Sequence, residues 1–466
     1  MCFLPMVFLI FCLHNYAWGQ AKIKAYFNSP VNISASTGVN AVYLPSGSMA
    51  DTIVAYINRA QSSVDIAQYD YHQDAYFGAY ANIATAVNNA YARGVTIRWI
   101  YDGSSSNTGL SALNSGIHKL ASPTTSAYGI MHNKFIIIDA NSGNPANAIV
   151  STGSEDWSSE MFYKDYNNIL FIQDSALAHA YTAEFNMMWG STTAVPNTSL
   201  SKFGPFKTDL GLHTFSIAGH TVEVYFSPSD NTDAHIGTSI LSANKDLYVG
   251  VYDMTRTGDA SDIVARKTSG VYTLATVDQY TPTTSSAVNS LLSSGLGSNY
   301  IVYSGSYLYH NKMMIVDPSD TCSDPQVLTG SHNWTSSAQN YNDENILIIH
   351  NDTLANIYYQ SYIANFAAIG GGTAIALSGD CNTTLEVGVM NKITDKFVLF
   401  PDPSYAVLTI SSDSTINTIC IFNLVGQVIY VNQPDSNQVQ INISGLTKGL
   451  YLVLLNGTET RKFIKQ

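Results

Sequence analysis

Apolar and polar positions follow three different rhythms along this chain. Cys2–Leu13 is an almost unbroken apolar run, the length of a signal-peptide core and too short to span a bilayer. Ala17-Trp18-Gly19 then places small residues at the positions a signal peptidase reads, predicting a signal peptide over 1–19. Helical periodicity next alternates with short apolar runs. Met49–Ala60, Gly78–Arg93 and Asp233–Ala243 read as helices, the second ending at Gly94, and Val95–Tyr101 as a buried strand. Phe135–Ile138, Ile169–Ile172, Met313–Val316 and Ile346–Ile349 are continuous apolar runs between polar residues, the pattern of strands covered on both faces. Beyond Gly370-Gly371-Gly372 the helical rhythm stops. Short strands with turn residues take over at 407–412, 418–424, 427–431, 438–445 and 449–455. No later stretch approaches 18 apolar residues, so no membrane span is expected in the mature protein.

The middle region repeats itself. QSSVDIAQYDY (61–71) answers NKDLYVGVYDM (244–254), and MHNKFIIID (131–139) answers YHNKMMIVD (309–317). STGSEDWSS (151–159) matches LTGSHNWTS (328–336), and YNNILFI (166–172) matches DENILII (343–349). A constant order and near-constant displacement mark a duplication. The expected fold is therefore α/β, a duplicated α/β/α sandwich about a pseudo-twofold axis, followed by a small all-β domain. The expected divisions are a first half over 20–205, a second over 206–370, a linker over 371–390 and a C-terminal domain over 391–466; a monomer is expected.

Composition adds a compartment and narrows the substrate. Only 12% of the 466 residues are charged, and Ser, Thr, Asn, Gly and Tyr must supply the polar surface, as suits an extracellular protein. Three cysteines lie beyond the signal run. Cys322 and Cys381 could pair, or all three including Cys420 could be thiols; their spacing fits no metal site. Residues 21–390 hold 15 basic and 29 acidic side chains, a net −14, whereas 391–466 carry 6 and 5. Such a charge over 21–390 disfavours unspecific nucleic-acid binding and strongly anionic membranes alike.

The chemistry sits in the repeat. His132-x-Lys134-x4-Asp139 recurs as His310-x-Lys312-x4-Asp317. On a strand, alternate residues face one side, so each His and Lys should point together into a shared cavity. Two histidines and two lysines supply what in-line displacement at phosphorus needs. One neutral imidazole attacks, the other donates a proton to the leaving oxygen, and the lysines hold the non-bridging oxygens. Neither metal nor cofactor is required. Asp139 and Asp317, at the far ends of the apolar runs, either join this set or fix local structure. Asp70 and Asp253, of the paired Tyr-Asp positions, read as strand ends, and Trp157 and Trp334 as packing residues.

These motifs, with Gly153-Ser154 and Gly330-Ser331-His332-Asn333-Trp334, resemble the phospholipase D superfamily over most of 40–350. The resemblance implies a phosphohistidine mechanism with His132 as nucleophile and His310 as the acid that later activates water. It implies that Ser154, Ser331 and Asn333 bind phosphate oxygens or order the pocket. Glu344 should hydrogen-bond one catalytic imidazole, which one being open. The first half departs from the pattern: Asp156 stands where Asn is expected and Asn167 aligns with Glu344, leaving Glu155, Asp156 and Asp165 as substitutes. A phospholipid is the first expected substrate and nucleic acid the second. A non-catalytic surface-binding protein on the same scaffold is a third reading, disfavoured by the retained histidines.

Residues 399–410, 421–430 and 441–465 resemble the type A sorting domain of the type IX secretion system of Bacteroidetes, with Asp402 replacing Asn in its Pro-Asn-Pro turn. That resemblance implies a partner, the type IX secretion machinery, and delivery to the cell surface or medium. Read without it, the segment is a carbohydrate-binding or structural β-sandwich.

Overall fold

The computed structural model describes residues 22–72, 79–372 and, toward the C-terminus, 397–466 apart from 402, 424–427 and 457–458. The expected signal peptide, most of the expected linker, Cys381 and Asp402 lie outside the described residues. The chain separates into two compact units, Met1–Asn382 and Thr383–Gln466.

In the first unit each repeat builds one eight-stranded mixed sheet. The first repeat supplies β1 (Ile23–Phe27), β2 (Val42–Tyr43), β3 (Ser63–Gln68), β4 (Thr96–Tyr101), β5 (His118–Ala121), β6 (Lys134–Ile138), β7 (Ile149–Gly153) and β8 (Asn168–Ile172), in the spatial order β2-β1-β8-β7-β6-β3-β4-β5. The second supplies β9 (Thr214–Ile217), β10 (His220–Ser227), β11 (Asp246–Val251), β12 (Tyr272–Asp278), β13 (Tyr300–Tyr303), β14 (Lys312–Val316), β15 (Gln326–Gly330) and β16 (Glu344–His350), in the order β13-β12-β11-β14-β15-β16-β10-β9. The six strands β3 to β8 and their counterparts β11 to β16 follow one path, so the repeat seen in sequence is a repeat of topology.

Continuous apolar runs become strands buried on both faces because each face meets a different core. Phe135 and Ile137 of β6, with Met313 and Ile315 of β14, point into a central core shared with helices Ser175–Trp189 and Asp352–Ala368. Ile136 and Ile138 face outward onto helices Ser48–Ile57 and Ala79–Ala92, while Met314 and Val316 face helices Thr232–Ser242, Thr257–Thr268 and Ser286–Leu296. The result is two α/β/α sandwiches sharing their middle helical layer. In this unit the expected helix and strand ends are met to within three residues.

A buried triad ties the connection between repeats to both of them. Lys207 Nζ lies 2.5 Å from Glu184 Oε1 and 2.8 Å from Asp343 Oδ1, with all three side chains essentially excluded from solvent. Burial pushes the Glu184 carboxyl up to about 7, and the Lys207 charge only partly offsets it. Lys207→Met leaves two carboxylates buried without a counter-ion, which is expected to cost about 3–5 kcal/mol. Urea denaturation checks this; an unshifted midpoint would deny the triad its structural part.

The second unit is all-β. Its strands β17 (Phe397–Phe400), β18 (Val407–Ile416) and β21 (Ser436–Asn442) form one sheet, and β19 (Ile419–Phe422), β20 (Val428–Asn432), β22 (Gly449–Leu455) and β23 (Glu459–Lys465) another. Their core includes Leu408, Ile410, Ile421, Ile441, Val453 and Phe463. Strands β17 and β23 are not marked by the apolar pattern: β23 alternates Arg461, Phe463 and Lys465 with Thr460, Lys462 and Ile464, which dilutes its signal. Cys420 is a free thiol, whereas Cys322 is in a disulfide whose partner lies outside the described residues.

Candidate active site

The expectation that His132 and Lys134 share one strand needs correcting. Strand β6 begins at Lys134 and β14 at Lys312, so each histidine precedes its strand. The segment before β6 instead pairs across the interface between the repeats. Met131 bridges Asp343, and the His132 N–H donates to the Asp343 carbonyl at 3.0 Å. Its mate behaves likewise, the Tyr166 N–H donating to the Leu308 carbonyl at 2.8 Å. Two carboxylates unforeseen from sequence anchor these segments: Asp102 Oδ2 accepts from Met131 N and Asp278 Oδ2 from Tyr309 N, both at 2.8 Å. Each lysine folds back, Nζ donating to the carbonyl of its own motif histidine at 3.0 Å (Lys134) and 2.7 Å (Lys312).

Tyr69 and Tyr252 form matching walls. Each ring lies 4.9 Å from the motif imidazole of its repeat, with the Lys134 and Lys312 ammonium groups over the same rings at 5.0 and 5.1 Å. The repeated Tyr-Asp pair is their signal in the sequence, and its aspartates, expected at strand ends, fall two residues beyond β3 and β11. Asp70 accepts from Ser105 Oγ and Asp253 from Thr284 Oγ1, while their carbonyls take the N–H groups of Trp157 and Trp334 at 2.9 Å. Both tryptophans are fully buried packing residues.

The repeats differ most behind their histidines. His132 Nδ1 lies 2.9 and 2.8 Å from the two oxygens of Glu344, in the other repeat. Ser331 Oγ donates to Glu344 Oε2 at 2.7 Å. Burial alone would raise the Glu344 carboxyl, but the His132 charge and hydrogen bond outweigh it and hold the group at about 2. His310 Nδ1 meets a neutral amide instead, Asn167 Oδ1, at 3.1 Å. That amide cannot flip freely: its Nδ2 donates to the Met161 and Asp165 carbonyls, and Ser154 Oγ donates to its Oδ1 at 2.8 Å. A fixed acceptor at Nδ1 selects the Nδ1–H tautomer and leaves the lone pair on Nε2. Burial first, then the charges of Lys312, Lys134 and His132, hold His310 well below the usual histidine range, so its imidazole is neutral.

One carboxylate enters from the front. Asp156 Oδ1 lies 3.0 Å from Lys134 Nζ, and its Oδ2 is 4.0 Å from His310 Nε2. Lys134 of one repeat and His310 of the other therefore border one small space. Lys312 has no carboxylate in ion-pairing reach among the described residues, and burial followed by repulsion from Lys134 holds it well below the usual lysine range. Asn333, the repeat mate of Asp156, is half-buried, and its Oδ1 has no hydrogen-bond partner among the described residues.

Asp139 and Asp317, grouped with the catalytic set by their motif, are not brought to this space. They end β6 and β14 with positive φ (53° and 49°). Asp139 accepts from the backbone N–H groups of Gln61, Ser62 and Ser63, and Asp317 from those of Asn244, Lys245 and Asp246, at 2.7–3.1 Å. They clamp the turns entering β3 and β11, the second option left open by the sequence. Glu155 does not replace the missing carboxylate behind His310 either; it is fully buried, and desolvation pushes it up to about 8. Asp165 instead accepts from the Leu308 N–H at 2.7 Å.

Comparison with known proteins agrees with this architecture. The family model described as cardiolipin synthase, PLD-like domain, matches residues 53–189 and 236–366, together more than half of the chain. The model of a secretion system C-terminal sorting domain matches 398–466. Phospholipase D of Rickettsia conorii is 30% identical over 168 residues, 36% of this chain and 76% of that protein. Mitochondrial cardiolipin hydrolase of Drosophila melanogaster is 31% identical over 153 residues, 29% of this chain; the chain spans only 57% of the fly protein's length. Among solved structures, phosphatidylserine synthase of Haemophilus influenzae is 14% identical with a TM-score of 0.49, covering 68% of this chain and 84% of that one. With one PLD-like match on each repeat and a sorting-domain match behind them, the chain belongs to the phospholipase D-like family and ends in a secretion system sorting domain.

Proposed function

We propose that this protein is an exported phosphodiesterase that hydrolyses a phospholipid through a phosphohistidine intermediate. The observation that carries this reading is the space bordered by Lys134 of the first repeat and His310 of the second, with His132 of the first repeat backed by Glu344 of the second. In the first step the His310 Nε2 lone pair attacks phosphorus, forming an N–P bond as the P–O bond to the alcohol breaks. His132, whose imidazolium is stabilised by Glu344, gives its Nε2 proton to the departing oxygen. Lys134 and Lys312 hold the non-bridging oxygens. In the second step His132 takes a proton from water, whose oxygen displaces His310 from phosphorus and releases a phosphomonoester.

These roles reverse those implied by the family resemblance. With one carboxylate-backed and one amide-backed imidazole, the single proton needed for acid catalysis settles on the carboxylate-backed ring. That leaves His310 neutral and correctly tautomeric for attack.

Lipid is favoured over nucleic acid by the net −14 of residues 21–390 and by the lipid activities for which the Rickettsia and fly relatives are named. The same charge favours a zwitterionic headgroup. The sorting domain supports passage through the type IX machinery to the surface or medium. The test is to incubate the purified protein with phosphatidylcholine, and separately with single- and double-stranded DNA, each with EDTA. Release of phosphatidate and choline, undiminished by the chelator because lysines supply the positive charge, is the expected result. Cleavage of DNA alone would move the substrate class, and an activity lost to EDTA and restored by a divalent ion would overturn the mechanism.

A further inference from the structure

The duplication places the same residue type at most positions of the site, which makes the exceptions informative. Gly-Ser-His-Asn-Trp in the second repeat is Gly-Ser-Glu-Asp-Trp in the first. The second repeat keeps its carboxylate, Glu344, behind an imidazole. The first has an amide there, Asn167, and carries a carboxylate at Asp156, on the cavity side. Relative to a symmetric arrangement, one negative charge has moved from the back of His310 to its front.

Its position there matters. Asp156 is 5% exposed. One oxygen lies 3.0 Å from the Lys134 ammonium and the other 4.0 Å from His310 Nε2. A two-oxygen anion that touches the lysine clamp and faces the attacking nitrogen has the outline of a bound phosphodiester. The Lys134 contact is an ion pair without hydrogen-bond alignment, since Asp156 Oδ1 has no hydrogen-bond partner among the described residues. It is a contact that can be exchanged. Lys134, His310 and Lys312 are the positive or proton-binding groups near Asp156, while Tyr69, Asp70 and Glu155, also near it, add no cation.

Resting on the proposed function, we propose that Asp156 is a built-in phosphate mimic: a positioning residue that occupies the seat of the substrate phosphate and must release Lys134 before a phosphodiester can bind. Two anions then compete for one ammonium group. The enzyme binds its substrate phosphate and its phosphomonoester product more weakly than an Asn at 156 would allow, and product leaves faster. The empty site keeps a near-balanced charge, Asp156 against Lys134 and Glu344 against His132, so a buried pair of lysines is tolerated without a ligand.

The experiment uses the full chain and inorganic phosphate as probe. Phosphate binding is measured calorimetrically at pH 7 for the wild type, Asp156→Asn, Asp156→Ala and Lys134→Ala, with thermal denaturation confirming that each is folded. Asp156→Asn restores the side chain of the other repeat and should bind phosphate on the order of tenfold more tightly, since one like charge has left the site. Asp156→Ala should follow, Lys134→Ala should bind phosphate more weakly than the wild type, and adding Lys134→Ala to Asp156→Asn should lose the gain. With the phospholipid substrate, Asp156→Asn should lower KM more than it changes kcat, whereas a loss of fold would lower kcat alone. Unchanged or weaker phosphate binding in both Asp156 variants overturns the inference, as does a kcat collapse in Asp156→Asn, which would make Asp156 a proton carrier. If no variant binds phosphate while the wild type still cleaves lipid, the inference fails and the proposed function stands. If Asp156→Asn binds phosphate more tightly but no diester is turned over, the phosphate seat stands and the proposed function fails.

Discussion

His132→Ala and His310→Ala are each expected to lower turnover by at least ~10³-fold, because nucleophile, acid and charge clamp act as a unit. Their buried positions raise the question of whether such losses would merely report unfolding. His132 is 6% and His310 4% exposed, yet neither fills an apolar core, and their Nδ1 partners are polar groups with other bonds. Glu344 keeps Ser331 and Asn342, and Asn167 keeps Ser154 and two carbonyls. Both variants should therefore fold, which circular dichroism and a thermal midpoint check. The two losses then differ in kind. His310→Ala removes the attacking nitrogen, so alkaline quenching should trap no phosphohistidine. His132→Ala keeps the nucleophile but not the acid, so a substrate with a good leaving group, such as a nitrophenyl diester, should recover most of the first step and load phosphate on the 310 peptide. Near-normal turnover by either variant would remove the site spanning both repeats. Label on the 132 peptide would restore the roles implied by family resemblance.

Much of this architecture was legible because duplication supplies an internal comparison. Four pairs of matching segments gave the order of the repeated strands, and apolar runs such as Phe135–Ile138 and Met313–Val316 gave their double-sided burial. Pairing across the interface was less legible. The pattern placed His132 on a strand, but a bridge from Met131 to Asp343, 212 residues away, holds it. Only the folded chain shows that Glu344 serves His132, since helical layers and loops of unpredicted length lie between them. Asp102 and Asp278 were missed for a related reason: they lie at the ends of β4 and β12, outside every matched segment, and act through backbone N–H groups that carry no side-chain signature. Asp139 and Asp317 erred the other way. A recurrent motif suggests chemistry, yet here recurrence also preserves a turn clamp, because three N–H groups in each repeat need the same acceptor.

Glu344→Gln should cost about 10²–10⁴-fold in kcat/KM at neutral pH, by analogy with other imidazoles that lose a carboxylate partner. The substitution nearly preserves shape, and an amide oxygen can still accept from His132 Nδ1, as Asn167 does from His310. What disappears is the charge that favours imidazolium over imidazole. In the wild type that charge is present across the useful range, since the Glu344 carboxyl is held at about 2. Acidification of the wild type through the usual carboxylate range therefore does not unload Glu344, and His310, held well below the usual histidine range, stays neutral as pH falls through that range. In the variant no carboxylate charge faces the imidazole that donates to the leaving oxygen, so the loss should fall on substrates whose leaving group needs a proton. A nitrophenyl diester should therefore recover most of the first step, whereas the phospholipid should not. If His132 is the nucleophile instead, the loss should be the same for both substrates. Measuring kcat/KM of the wild type and Glu344→Gln with each substrate, with the phosphate label mapped, separates the two. Loss with the phospholipid, recovery with the nitrophenyl diester and label at 310 is the expected outcome.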